Sequence, residues 1–169
     1  MATQPHPLDH VGLTVPDLER AVEFYTEVMG FQLLLGPVEI SSDMAGPQGA
    51  FTRDIFGEDV QARLAHLLAA NGTGLELFEF EHPTTATPDD NFHFNLVGPF
   101  HFNVVDPDIE RLAERVEEYG GRRRTDIHRW DDDLPFRLVY LEDPFGNILE
   151  CYTHPYAQIY ATLAARQPA

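Results

Sequence analysis

The chain has 169 residues, 43% hydrophobic and 11% aromatic, enough for one packed unit or two small halves and too short for two independent domains of ordinary size. Its 28 acidic residues stand against 11 basic ones, all arginine, and the net charge of −17 excludes nucleic acid and anionic membrane as partners, because phosphate contacts draw on clustered cations. The absence of lysine fits either a GC-rich genome or a surface adapted to high salt; no apolar run approaches the roughly 20 residues of a membrane helix, MATQPHPLD has no secretory pattern and Cys151 has no disulfide partner, so the cytoplasm is the expected location.

In chain order, LDHVGLTV alternates and is rich in β-branched residues, which predicts a strand. Pro16 then opens a helix over DLERAVEFYTEVMG, with Leu18, Val22, Tyr25 and Val28 or Met29 at helical spacing and Gly30 as its stop. FQLLLG resumes as a strand, and residues 37–59, rich in Gly, Pro, Ser and Asp, read as a loop or lid. VQARLAHLLAA and GLELFEFEH form a hairpin turned by Asn71-Gly72. After the polar connector PTTATPDDN the same order returns: a strand at 99–105, a helix at about 107–119, a break at Gly120-Gly121, and strands near 122–128, 136–142 and 147–153. HPYAQIYATLAARQ closes the chain as a short amphipathic helix.

The repetition extends to individual residues. LDHVGLTVPDLER (8–20) is matched by PFHFNVVDPDIER (99–111), and GTGLELF (72–78) by GNILECY (146–152), so each half opens on a histidine strand and closes on a glutamate strand. This gives a single domain over 1–169 made of a first βαβββ module (about 7–82), a connector (83–97), a second module (about 98–153) and a C-terminal helix (about 154–167).

Side chains alternate across a strand. Val11, Leu13 and Val15 belong under the first helix, which turns His10 to the opposite face; Phe102 and Val104 belong under the second, which turns His101 and Asn103 the same way. Leu75, Leu77, Leu149 and Cys151 pack, while Glu76, Phe78, Phe80, Glu150 and Tyr152 face inward. Two histidines and two carboxylates then share one concavity, walled by Phe78, Phe80, Phe136 and Tyr152. His6, His66, His82, His93, His128 and His154 lie outside the repeat and are expected on surfaces or loops, His93 being placed to overhang the concavity from the connector. Either Arg137 or Tyr140 faces inward, and parity alone does not say which. Arg122-Arg123-Arg124 is expected to balance nearby carboxylates, and Cys151 to be an inert small hydrophobe.

LDHVGLTVPDLERAVEFYTEVMGF and LEDPFGNILE resemble the opening and closing segments of the vicinal oxygen chelate superfamily, which includes glyoxalase I, methylmalonyl-CoA epimerase, extradiol dioxygenases and fosfomycin-resistance proteins. The resemblance covers residues 7 to 153 and implies an α+β fold in which two tandem βαβββ modules form an open mixed β-barrel around a metal site. It implies His10, Glu76, His101 and Glu150 as ligands of one divalent ion (Zn, Ni, Mn or Fe), a donor set of borderline hardness that leaves two positions for substrate oxygens. It further implies a glyoxalase-like isomerase, epimerase or lyase acting on a small organic molecule through a metal-stabilised enediolate, with Glu150 as base and Glu76 as its partner. The alternatives are an Fe(II) extradiol-type dioxygenase using His10, His101 and Glu150 alone, and a metal-free drug-binding resistance protein. The resemblance also admits a homodimer.

Overall fold

The computed structural model describes residues 4–167 and divides into two compact units, one running to Thr87 and one beginning at Pro88. The fold is α+β with mixed sheets, as expected from the repeat. Among the described residues no helix is long and apolar enough to cross a membrane.

In the first unit, β1 (His10–Thr14), α1 (Leu18–Glu27), β2 (Gln32–Ser41), α2 (Pro47–Phe56), β3 (Gln61–Leu68) and β4 (Gly74–His82) follow one another. The sheet order is β1-β4-β3-β2, with β1 parallel to β4 and the other pairs antiparallel. Leu18, Ala21, Phe24 and Tyr25 of α1 are buried, as are Leu75 and Leu77 of β4, so one face of the sheet and the apolar stripe of the helix make the core. The pair Arg63–Glu19 joins β3 to α1 on that face.

The second unit contains β5 (Phe102–Val105), α3 (Ile109–Glu118), β6 (Arg122–Arg123), β7 (His128–Arg129), β8 (Arg137–Glu142), β9 (Ile148–Tyr152) and α4 (Tyr156–Ala165). Its sheet order is β5-β9-β8-β6, with β7 also on β8 and β5 parallel to β9. Ile109, Leu112, Ala113 and Val116 of α3 are buried with Val139, Leu141, Leu149 and Cys151 of the sheet. All five residues of β9 are buried, and α4 covers the end of the strand at Tyr152: Ile159 joins Leu134, Phe136 and Tyr152 in a second cluster, with Trp130, Leu138, Tyr160 and Leu163 around it.

Part of the repeat is capping chemistry. Asp17 accepts a hydrogen bond from the Arg20 N–H at 3.0 Å and Asp108 from the Arg111 N–H at 3.3 Å, so each Pro-Asp-x-x-Arg begins a helix with the same side-chain cap.

Three local expectations are corrected. Residues 37–59 are not a loop: β2 continues to Ser41 through a bulged pairing with β3, and Pro47–Phe56 is a helix. The helix carries weak local signals, since its apolar Phe51 and Ile55 are exposed; Gly49 holds it in place, because a Cβ there would lie 1.8 Å from the Met44 carbonyl oxygen. The strand placed at 122–128 is two short pieces, separated where Arg124 and Thr125 both hydrogen-bond to the Tyr140 carbonyl. The strand placed at 99–105 begins only at Phe102, so His101 stands just before it.

Candidate functional site

Burial along β1 alternates as parity requires, and His10, Gly12 and Thr14 lie on the face away from α1. The parallel register sets Gly12 opposite Glu76, which brings His10 and Glu76 into a diagonal pair. His10 Nε2 lies 3.7 Å from Glu76 Oε2, while its other ring nitrogen, Nδ1, lies 3.1 Å from Asp9 Oδ2. The Asp9 hydrogen bond, followed by the Glu76 charge, raises the His10 pKa.

The second unit repeats the offset with more donors. Asn103 stands opposite Glu150 and donates from Nδ2 to Glu150 Oε2 at 3.2 Å; His101 Nε2 lies 3.3 Å from the same oxygen. Glu150 is 6% exposed, and His101 Nδ1 is buried with no hydrogen-bond partner. Tyr140 stands directly opposite Glu150 across β8 and β9, and burial, followed by the neighbouring carboxylate, pushes its hydroxyl far above the ordinary phenol value. Arg137 instead points to α3 and pairs with Glu110, so Tyr140 is the inward residue of that strand.

These distances suit a shared cation. At 3.7 Å the His10–Glu76 gap is too long for a hydrogen bond. Two donor atoms each about 2.1 Å from one ion stand roughly 3.0 to 3.4 Å apart for octahedral or tetrahedral angles; the His101–Glu150 separation of 3.3 Å falls in that range and the His10–Glu76 separation of 3.7 Å lies just above it. His10 also shows the support common to metal-binding imidazoles, a carboxylate on its second nitrogen. Each unit therefore carries a histidine–glutamate pair at the same place in its repeat; among the described residues no three His, Cys, Asp or Glu side chains converge into a site.

The bland expectations mostly hold. His6, His82, His93 and His128 are exposed, and His154 bonds Thr153 at 2.8 Å. The arginine triplet meets carboxylates: Arg122 and Arg124 both bind the buried Glu142, and Arg123 pairs with Glu117. Cys151 is fully buried, which pushes its thiol up to about 12. Tyr152 and Phe136 belong to the core under α4 rather than to a cavity wall.

His66 is the correction. It lies on β3 directly opposite Glu76, with Nδ1 3.4 Å from Glu76 Oε1, within a strand rather than in a loop. Phe92, rather than its neighbour His93, carries the connector over the second sheet: its ring packs 5.6 Å from Tyr140, Arg124 sits 4.5 Å above it, and Asp90 binds Arg124 at 2.7 and 2.9 Å. In the first unit, beyond Glu76 on the same face, Thr14, Phe56, Val60, Phe80 and Thr85 line an open cleft of about 270 Å³.

Comparison with known proteins follows this geometry. The Glyoxalase/Bleomycin resistance protein/Dioxygenase superfamily matches residues 7–151. A 2-epi-5-epi-valiolone epimerase from an Actinomyces species is 34% identical over 152 residues, covering 86% of this chain and 78% of its own. A catechol-2,3-dioxygenase from Bacillus subtilis (strain 168) is 28% identical over 89% of this chain, which spans only 43% of that protein's length. The crystal structure of a glyoxalase family protein from Bacillus cereus superposes with a TM-score of 0.73 at 18% identity, covering 89% of this chain and 95% of that one.

Proposed function

The chain belongs to the Glyoxalase/Bleomycin resistance protein/Dioxygenase superfamily, and we propose that within it this protein is a metal-dependent epimerase acting on a small hydroxylated ketone. The observation that carries the reading is the pair of matched contacts, His10 with Glu76 at 3.7 Å and His101 with Glu150 at 3.3 Å, each at the same place in its repeat. We take these four residues as the ligands of one divalent ion, Zn, Ni, Mn or Fe. Once bound, the ion would act as a Lewis acid on the substrate carbonyl and make the neighbouring C–H more acidic.

The protein groups do the proton work. Inverting a carbon next to a carbonyl requires a proton to leave from one face and another to arrive on the other, which is a task for two groups. Glu150 Oε1 is the acceptor: Asn103 holds the other oxygen, and burial keeps bulk water from competing for the proton. Glu76, its repeat equivalent, starts as the carboxylic acid and gives its proton to the opposite face; it ends ionised and Glu150 protonated, and exchange with solvent resets both. The relative named as a 2-epi-5-epi-valiolone epimerase supports this class.

The relative named as a dioxygenase supports a second reading, Fe(II) chemistry on a catechol that needs His10, His101 and Glu150 but not Glu76. One experiment separates the readings. Protein purified without chelator is assayed for metal by elemental mass spectrometry, then incubated with 2-epi-5-epi-valiolone in D₂O and followed by NMR. About one ion per chain, with deuterium entering beside the carbonyl and lost in Glu150→Gln, is expected. Iron retained in Glu76→Ala together with oxygen uptake on catechol would replace the epimerase with the dioxygenase, and a metal-free protein that binds ligand unchanged would leave a drug-binding role.

A further inference from the structure

The antiparallel registers put a second residue beside each glutamate. His66 pairs with Glu76 across β3 and β4, and Tyr140 pairs with Glu150 across β8 and β9, the same place in both repeats. In the first unit Glu76 is held from two sides, Oε1 toward His66 Nδ1 at 3.4 Å and Oε2 toward His10 Nε2 at 3.7 Å. In the second, Tyr140 faces Glu150 directly across the strand pair, while Oε2 meets His101 and Asn103. Each carboxylate thus lies between a histidine at the start of, or just before, its parallel neighbour and a polar side chain directly across its antiparallel neighbour.

A glutamate has three side-chain torsions, and an untethered one samples many carboxylate orientations before it meets an ion. Fixing one oxygen leaves the other aimed, which lowers the ordering cost of binding. We propose that His66 and Tyr140 are matched positioning residues that aim Glu76 and Glu150 at the metal without binding it, a role that rests on the reading of those glutamates as ligands. The two are not equal in rigidity. Tyr140 is packed between the rings of Phe92 at 5.6 Å and His101 at 5.5 Å, whereas the His66 side chain is 34% exposed. Tyr140 therefore holds the stiffer arm.

The test uses the full chain, stripped with a chelator and titrated with Co(II) alone, reading affinity by calorimetry and ligand geometry by visible absorption. His66→Ala and Tyr140→Phe are expected still to bind one ion with an unchanged spectrum but roughly 10- to 100-fold weaker. His66→Gln, which restores an N–H of similar reach, should regain most of the loss. Urea midpoints equal to wild type confirm that folding is intact. Affinity unchanged in His66→Ala and in Tyr140→Phe overturns the proposal. So does a His66→Gln no better than His66→Ala with an altered Co(II) spectrum, which would make His66 a ligand. A wild-type chain that binds no ion overturns the metal reading itself, and the positioning role with it.

Discussion

Replacing Ile159 by alanine tests how the second unit seals the face that carries Glu150. Ile159 is fully buried and is the single buried residue of α4, a helix with no side-chain cap at Pro155. The change removes three carbons; at about 0.8 kcal/mol per buried methylene the transfer loss is about 2.4 kcal/mol, and the cavity left against Leu134, Phe136 and Tyr152 raises the total to about 3 kcal/mol. In a chain of this size that corresponds to a fall in Tm of roughly 6 to 12 °C. The single tryptophan, Trp130, reports on the event directly, because its ring packs edge-on against Tyr152 at 5.5 Å and Tyr160 at 5.7 Å. Urea unfolding followed by Trp130 emission should shift to a lower midpoint and move ahead of the far-UV circular dichroism transition, since α4 can leave before the sheet melts. Coincident transitions at the wild-type midpoint would refute the argument and show that α4 contributes nothing to the stability of that face.

The connector and two glycines give further outcomes. The Arg124 guanidinium, with help from the Phe92 N–H, holds the Asp90 carboxyl at about 2, below its ordinary value of 3.8, so this contact stabilises the folded chain above about pH 4 and is lost as pH falls through 2; the stability difference between wild type and Asp90→Asn should be constant from pH 5 to 7 and close over that acid range, and a gap that persists below it would refute the assignment. A Cβ on Gly121 would lie 2.3 Å from the Glu142 carbonyl oxygen and 2.7 Å from Val116 Cγ1, whereas Gly30, at φ +68°, has nothing within 4 Å. Gly121→Ala should cost about 3 kcal/mol by overpacking and Gly30→Ala about 1 kcal/mol from backbone strain alone; urea midpoints in the reverse order would contradict this.

The residues that were legible in the sequence are those whose position depends on a local period. His10, Glu76 and Glu150 follow from strand alternation, and the helix starts follow from Asp17 and Asp108, because a side chain's face and a cap are decided within a few residues. What stayed hidden depends on pairing. His66 is invisible to a repeat because its counterpart is a tyrosine, although the hairpin turned at Asn71-Gly72 already fixes it across from Glu76. The helix at 47–56 was hidden for the opposite reason: Gly49 is a poor helix former by propensity and is required there by contact with Met44. Phe92 lies in a polar connector whose composition says loop, and only the Arg124–Asp90 clasp places it over the sheet.

The shared register carries a consequence for redesign. Gly12 and Asn103 occupy one address in the two halves, each facing its glutamate across a parallel pair. One half fills the address with an amide that grips the carboxylate, and the other leaves it bare, with a Cβ at Gly12 meeting only Phe78 at an ordinary 3.6 Å. A fold written twice can keep one copy as an anchor and treat the other as an empty socket. Small side chains at position 12 are therefore where new reactivity can be introduced while the anchored half stays untouched.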